Sequence, residues 1–338
     1  MSTDEERVTL SHGAGGKKTA SLIDELFKKH FENELFTADD GAVFPVPDGK
    51  RLVMSTDGFI VSPSFFPGGD IGKLSVCGTV NDIACMGAKP LYLTVSFIIE
   101  EGFLISSLER IVSSMAETAR YCDVKIIAGD TKVTEKGKAD GIFITTTGFG
   151  VIEGEPCPSG RLARPGDSVI VTGDIGRHGA SILVSRGDYS LSSKIESDCA
   201  PLNHSIAALL SAVTDTHVIR DCTRGGTGTV LFEIGKQSDV GILIEREELP
   251  VSKEVNGICS LLGFDPLYLA CEGRAVVIVN KEDEEKALLA LRGVKESRDA
   301  RVIGTVVKEN PGKVVVLTKL GTEVFLPEPG NELLPRIC

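Results

Sequence analysis

Apolar positions along the chain switch repeatedly between a helical and an extended period. A short β-branched stretch with Val8 and Leu10 leads through His12-Gly13-Ala14-Gly15-Gly16 into apolar residues at Leu22, Ile23, Leu26, Phe27 and Phe31, and this spacing predicts a helix. Leu52-Val53-Met54 predicts a strand, and a helix is expected from about Asp70 to Met86, stopped by Gly87. Leu91 to Ile99 then predicts a strand, Ser106-x-x-Glu109 reads as a capping box opening a helix, and Val124 to Ala128 and Ile142 to Thr147 read as strands.

Between residues 153 and 167 the pattern breaks at Gly154, Pro156, Pro158, Gly160, Pro165 and Gly166, which neither helix nor strand tolerates well. A second series follows. Strands are expected near Val169–Val171, Val240–Ile244, Ala275–Val279, Val302–Val307 and Val314–Leu317, and helices near Pro201–Val213, Thr227–Lys236 and Glu282–Leu291. The pattern predicts an α/β or α+β protein with a sheet in each half: one domain over 1–154, a second over 155–326, and an extended, flexible tail over 327–338.

Composition narrows the function classes. The 338 residues carry 36 Lys+Arg against 48 Asp+Glu, a formal net charge of -12 without a basic block, which argues against binding a nucleic-acid backbone. Nine scattered cysteines, none in a Cys-x-x-Cys spacing, fit a reducing cytoplasm. The acidic opening Met-Ser-Thr-Asp-Glu-Glu-Arg lacks the signature of a signal peptide, and no apolar run is long enough to cross a bilayer; the expectation is a cytoplasmic protein with no membrane partner.

Candidate chemistry concentrates in acids that follow apolar runs: Asp57, Asp130, Asp221 and Glu272, joined by Asp39-Asp40 and by Asn81-Asp82 inside an otherwise apolar helix. Strand ends in open α/β sheets bind ligands, and carboxylates are the hard oxygen donors that Mg²⁺ on a polyphosphate requires. Any one such Asp is ordinarily a turn or cap residue; their number is what points to a site. The segment Gly13 to Thr19 could cradle phosphate on its backbone N–H groups, although it fails both the P-loop and the Gly-x-Gly-x-x-Gly pattern and reads equally well as a tight turn. Thr223-Arg224-Gly225-Gly226 carries the same two readings.

Lys132, two residues after Asp130, shares its face of an extended segment and could neutralise phosphate charge, where an isolated Lys is usually only solvated. His12, beside the glycine turn, could touch a ligand. Cys338 closes a Pro-rich stretch that could reach about 35 to 40 Å at ~3.3 Å per residue, far enough to carry a covalently attached group between sites. A frayed end with an incidental thiol is the plainer alternative.

Taken together, His-Gly-Ala-Gly-Gly, Ser-Thr-Asp-Gly at 55–58, Phe-Pro-Gly-Gly-Asp-Ile-Gly-Lys at 66–73, Gly-Thr-Val-Asn-Asp-Ile-Ala at 78–84, Gly-Asp-Thr-Lys-Val at 129–133, Ser-Asp-Cys-Ala-Pro-Leu-Asn at 197–203, Thr-Arg-Gly-Gly at 223–226, Cys-Glu-Gly at 271–273 and the closing Pro-Arg-Ile-Cys resemble the HypE carbamoyl dehydratases of hydrogenase maturation. That family belongs to the PurM-like superfamily of aminoimidazole ribonucleotide synthetase and selenophosphate synthetase. The resemblance implies a two-domain α+β homodimer with an ATP site in the amino-terminal domain. It implies that Asp40, Asp57, Asp82 and Asp130 hold Mg²⁺ and phosphates, with Asp221 as a further ligand. Gly13, Gly15, Gly16, Asn81, Thr131 and Arg224 would line the nucleotide.

It also implies a reaction: the carbamoyltransferase HypF places a carboxamide on the Cys338 sulfur, ATP phosphorylates the amide oxygen, and loss of phosphate leaves a thiocyanate. Glu272 would be the base and Lys132 would stabilise charge. The cyano group would pass to iron on the HypC–HypD scaffold. A selenophosphate synthetase would need a reactive cysteine near the glycine loop, and here none precedes Cys77; a small-molecule kinase would have no use for a thiol on an arm. A non-enzymatic carrier is a third reading, separable by its lack of Mg²⁺-dependent ATP turnover.

Overall fold

The computed structural model describes residues 6–9, 12, 21–34, 48–152, 158–187, 193–328 and 337–338. Gly13, Gly15, Gly16 and Asp40 lie outside the described residues. A π-helical turn, Ile23–Lys28, runs into α1 (Lys29–Phe31). Then come β1 (Arg51–Phe59), β2 (Phe65–Phe66), β3 (Gly69–Asp70), α2 (Ile71–Cys85), β4 (Lys89–Glu100), α3 (Ile105–Tyr121), β5 (Lys125–Thr134) and β6 (Ile142–Ile152). The second half contains β7 (Ser168–Val171), α4 (Arg177–Arg186), α5 (Asn203–Ala212), β8 (Thr216–Asp221), α6 (Gly226–Ser238), β9 (Gly241–Glu245), α7 (Lys253–Leu262), β10 (Ala275–Val279), α8 (Glu284–Arg292), β11 (Arg301–Val307), β12 (Val314–Leu317) and β13 (Glu323–Phe325).

Each half forms one large sheet, ordered β1-β6-β4-β5 in the first and β13-β12-β9-β11-β7-β10-β8 in the second. Pairing is antiparallel except between β4 and β5 and between β9 and β12. The open parallel sheet that would put ligands at strand ends is therefore absent, and Asp57, Asp130 and Asp221 lie within strands rather than after them. The amino-terminal sheet is covered on one face by α2 and α3. The carboxyl-terminal sheet is covered on both: Val276 and Ile278 of β10 pack in one core, and Ala275, Val277 and Val279 in another with α5 and α8. Burial on both faces is why β10 reads as an unbroken apolar run.

Helix α2 positions the site. Asp70 caps it, its Oδ1 accepting from Gly72 N at 2.7 Å and Lys73 N at 3.0 Å. A Cβ at Gly72 would stand 2.3 Å from the Ile111 carbonyl, so only glycine permits this approach to α3. The helix also packs against β8 and α5 of the second half, which accounts for its burial nearly all round. The capping box expected at Ser106 does not form: α3 begins one residue earlier, behind Leu104, without a side-chain cap.

Candidate active site

Period-2 alternation in β1 turns Ser55 and Asp57 toward α2, where every fourth residue, Ser75, Thr79 and the neighbouring Asp82, returns to the same face. Ser55 Oγ donates to Asp82 Oδ2 at 2.6 Å, and the Thr79 hydroxyl lies 3.2 Å from Asp57 Oδ2 and 2.6 Å from Thr146 Oγ1. Thr146 in turn donates to the Ser75 carbonyl at 2.9 Å. From the other domain, β8 brings Asp221 to α2, and the turn before β10 brings Glu272.

Proton affinity is raised at Asp57, Asp221 and Glu272. Burial, and then the charge of Asp82, push the Asp57 carboxyl up to about 6, with Arg224 pulling the other way. Burial followed by Asp82 and Asp57 pushes Asp221 up to about 7. Glu272, 2% exposed, is held well above the ordinary glutamate range by burial and by Cys199, Asp221, Asp198 and Asp57. Asp221 Oδ2, Glu272 Oε1 and Asp198 Oδ2 are buried without a hydrogen-bond partner. Crowded carboxylates with unmade hydrogen bonds are a cost unless something positive joins them. Among the described residues, no three His, Cys, Asp or Glu side chains already stand in metal-holding geometry, so the cluster is a charge match for a divalent ion rather than a finished cage.

The structure separates other expected members. Asp130 and Lys132 pair with each other at 2.9 Å on β5, and Lys132 holds the Asp130 carboxyl below its ordinary value. In register, Asp130 stands beside Ser96, Thr145 and Gly58, one position out of phase with Asp57, so the two aspartates point to opposite faces. They also sit on the two outer strands of the four-stranded sheet, about 14 Å apart at ~4.8 Å per strand. One chain therefore cannot gather Asp57, Asp82 and Asp130 on one ion, nor bring Lys132 to Glu272. Thr131 takes the helix-covered face, beside Phe97.

The Asn81 amide makes its hydrogen bonds within the protein. Its Oδ1 accepts from Leu202 N at 2.7 Å and its Nδ2 donates to the Ala200 carbonyl at 3.2 Å, fastening the loop before α5. His12 caps its own turn, Nδ1 accepting from Thr9 N at 3.0 Å. Arg224 is exposed and acts on Asp57.

The sequence reading assigned no role to Asp198, although it lies in the quoted Ser-Asp-Cys-Ala-Pro-Leu-Asn segment. Its Oδ1 accepts from Glu272 N at 3.2 Å, and the Arg274 Nε lies 3.8 Å from its Oδ2. A Cβ at Gly273 would stand 2.1 Å from the Asp198 carbonyl, so the Cys-Glu-Gly sequence is the price of that close packing. The tail also departs from expectation at its end: Ile337 is 3% exposed, and the Cys338 carbonyl accepts from Ile60 N at 3.0 Å, just beyond β1.

The family models match as AIR synthase related protein, N-terminal domain, over residues 38–152 and C-terminal domain over 164–317. Carbamoyl dehydratase HypE of Cupriavidus necator is 48% identical over 333 residues, covering 98% of this chain and 95% of that protein. The chain belongs to the HypE carbamoyl dehydratases. A solved HypE in complex with ATP superposes with TM-score 0.93 at 44% identity, covering 98% of this chain and 99% of that one. The HypE of a HypE–HypF complex superposes with TM-score 0.80 at 46% identity, covering 91% and 100%. The two-domain α+β architecture and the hydrogenase-maturation role expected for a HypE are thus both shown. No helix among the described residues is long and apolar enough to cross a membrane.

Proposed function

We propose that this HypE binds ATP with Mg²⁺ at the Asp57–Asp82–Asp221 cluster and dehydrates a carboxamide carried on Cys338, leaving a thiocyanate. The observation that carries this reading is the cluster itself: Asp57 and Asp221 with raised proton affinity beside Asp82, and an Asp221 oxygen without a hydrogen-bond partner, at the domain junction. Their hard oxygen donors fit Mg²⁺, with Asp57, Asp82 and Asp221 as its holders. Bound there, the ion would neutralise the carboxylates and the phosphate charge of ATP.

Dehydration moves the amide oxygen of the S-bound carboxamide to the γ-phosphate and removes two protons from nitrogen, so the products are thiocyanate, ADP and phosphate. Glu272 is suited to take a proton, because burial and neighbouring acids give it an unusually high proton affinity. It must enter the reaction ionised, which cationic charge at the Asp cluster would favour. Arg224, exposed beside Asp57, is placed to meet phosphate.

Asp130, Thr131 and Lys132 enter this reading through a second copy. Among the described residues, no helix lies over the face that carries Asp130 and Lys132, which exposes Leu52 (51%) and Met54 (66%). A homodimer closing on that face would bury these side chains and bring Lys132 toward a neighbouring site. HypF as carbamoyl donor, the HypC–HypD iron scaffold as acceptor and a cytoplasmic setting complete the proposal.

The test uses Cys338→Ala and Asp82→Asn. Cys338→Ala should bind ATP like the unaltered chain and form no thiocyanate, while Asp82→Asn should lose Mg²⁺-dependent ATP turnover. Thiocyanate appearing on another residue, or unchanged turnover in Asp82→Asn, would refute the assignment.

A further inference from the structure

His178, near the start of α4, is 0% exposed and hydrogen-bonded through both ring nitrogens. Nδ1 lies 2.7 Å from Ser197 Oγ, and Nε2 lies 2.7 Å from the Ile337 carbonyl. A carbonyl only accepts, so Nε2 must carry the proton and Nδ1 must accept from the Ser197 hydroxyl. Ser197 Oγ agrees with this orientation, since it already accepts from Cys199 N at 3.0 Å. Burial lowers the proton affinity of the ring and keeps it in this neutral, single-tautomer form. The edge of Phe66 against the imidazole, with ring centroids 5.4 Å apart, fixes the ring plane.

A buried histidine is most often satisfied within its own core. Here one partner is the backbone next to Cys338, 159 positions along the chain, and the other opens a loop that reaches the candidate base. That loop, Ser197 to Ala200, is pinned at Ser197 N to the Pro67 carbonyl at 2.8 Å. It holds Glu272 at both backbone ends: Glu272 N donates to Asp198 Oδ1 at 3.2 Å, and Ala200 N donates to the Glu272 carbonyl at 3.3 Å. One hydrogen-bonded path thus runs from the Ile337 carbonyl through His178 and Ser197 to the segment that carries Glu272.

We propose that His178 is the positioning residue that seats the Ile337–Cys338 segment and joins that seat to the loop holding Glu272. The inference rests on the reading of Cys338 as the carrier of the reacting group, and assigns to this chain a device for presenting it. Ile60 N, donating to the Cys338 carbonyl, is the second anchor, from the amino-terminal domain. Hydrogen bonds from both domains therefore hold the segment, with the Ile337 side chain buried between them.

Two substitutions separate the halves of the device. The amide of His178→Asn can replace Nδ1 but does not reach the Ile337 carbonyl; that of His178→Gln extends to the Nε2 position and keeps a donor there. The readout is the rate at which iodoacetamide alkylates Cys338, followed by mass on the Leu333–Cys338 peptide released by a glutamate-specific protease. Losing one buried hydrogen bond should raise that rate about five- to thirty-fold in His178→Asn, while His178→Gln stays near the unaltered rate. In single-turnover dehydration of the carbamoylated protein, His178→Asn should slow the step with ATP affinity unchanged. Equal alkylation of Cys338 in all three proteins would overturn the proposal.

A second measurement leaves His178 itself unaltered: deleting Ile337 and Cys338 should speed deuterium exchange at the His178 ring carbon, read by mass, because Nε2 loses its partner. Unchanged exchange would also overturn it. Alkylation and exchange need no carbamoyl group, so they distinguish failure of the seat from failure of the reading of Cys338 as carrier, which would appear instead as absent dehydration in the unaltered chain.

Discussion

Two sets of acids share one sheet and behave in opposite ways. Asp57 faces α2, is half-buried beside Asp82 and has a raised proton affinity; Asp130 faces away from the helices, is paired with Lys132 and has a lowered one. Both follow a Gly- or Thr-rich end to an apolar run, and in sequence they look equivalent. Their difference is one residue of register across three strand pairings, which decides whether a carboxylate meets other carboxylates or a lysine and solvent. Catalytic potential follows the crowded set, because unmet charge in a buried place is what a cation or a substrate proton can relieve.

The largest effects should come from breaking the buried set. Asp82→Asn is expected to lower Mg²⁺-dependent ATP turnover about a hundredfold or more, measured under saturating ATP. Glu272→Gln should slow dehydration by about 10²- to 10⁴-fold with ATP binding retained, measured by single-turnover mass analysis beside calorimetry. The order matters: the Asp change should impair ATP turnover, the Glu change chiefly the later proton transfer.

The contrast sharpens with pH. Because the folded-state proton affinities of Asp57 and Asp221 lie above the unfolded values, the native state holds extra protons, and these groups add stability as pH falls. In metal-free protein the melting temperature should therefore rise as pH is lowered from above 7 toward about 5, and Asp82→Asn should flatten the rise. A melting temperature that falls steadily over that range would contradict the crowded-carboxylate account.

Asn81→Ala tests whether positioning differs from binding. Leaving the Leu202 N–H and the Ala200 carbonyl unpartnered should cost about 1–3 kcal/mol in urea unfolding, with a smaller loss of ATP affinity than Asp82→Asn. The smallest expected effect belongs to the outer set: Asp130→Ala should change unfolding free energy by no more than about 1 kcal/mol, because its ion pair is exposed. If a second copy covers that face, Met54→Asp should shift the sedimentation coefficient toward the monomer.

Much of the architecture was legible in the chain. The helix starting at about Asp70 and running across Asn81-Asp82, and the β-branched runs of the second sheet, follow from local chemistry and appear as expected. What was not legible depends on pairing. Antiparallel order, the face taken by Asp130, and α4, whose apolar residues lie among polar ones without a strong stripe, are settled by contacts far away in sequence, whereas Val255, Ile258 and Cys259 of α7 form a stripe that the sequence does show. Asn81 shows the limit at the site: a polar residue in an apolar helix signals importance, but only the fold reveals that it fastens a loop. His178 gave no sequence signal, since its partners lie 19 and 159 positions away.

The most direct test is the intact mass of the protein carbamoylated on Cys338, before and after Mg-ATP, in the unaltered chain and in Asp82→Asn. Loss of one water on Cys338, dependent on ATP and absent or strongly slowed in Asp82→Asn, is the predicted result. A carbamoyl group that remains intact while ATP is consumed, or water lost equally fast in both proteins, would contradict the placement of the chemistry at the buried acids.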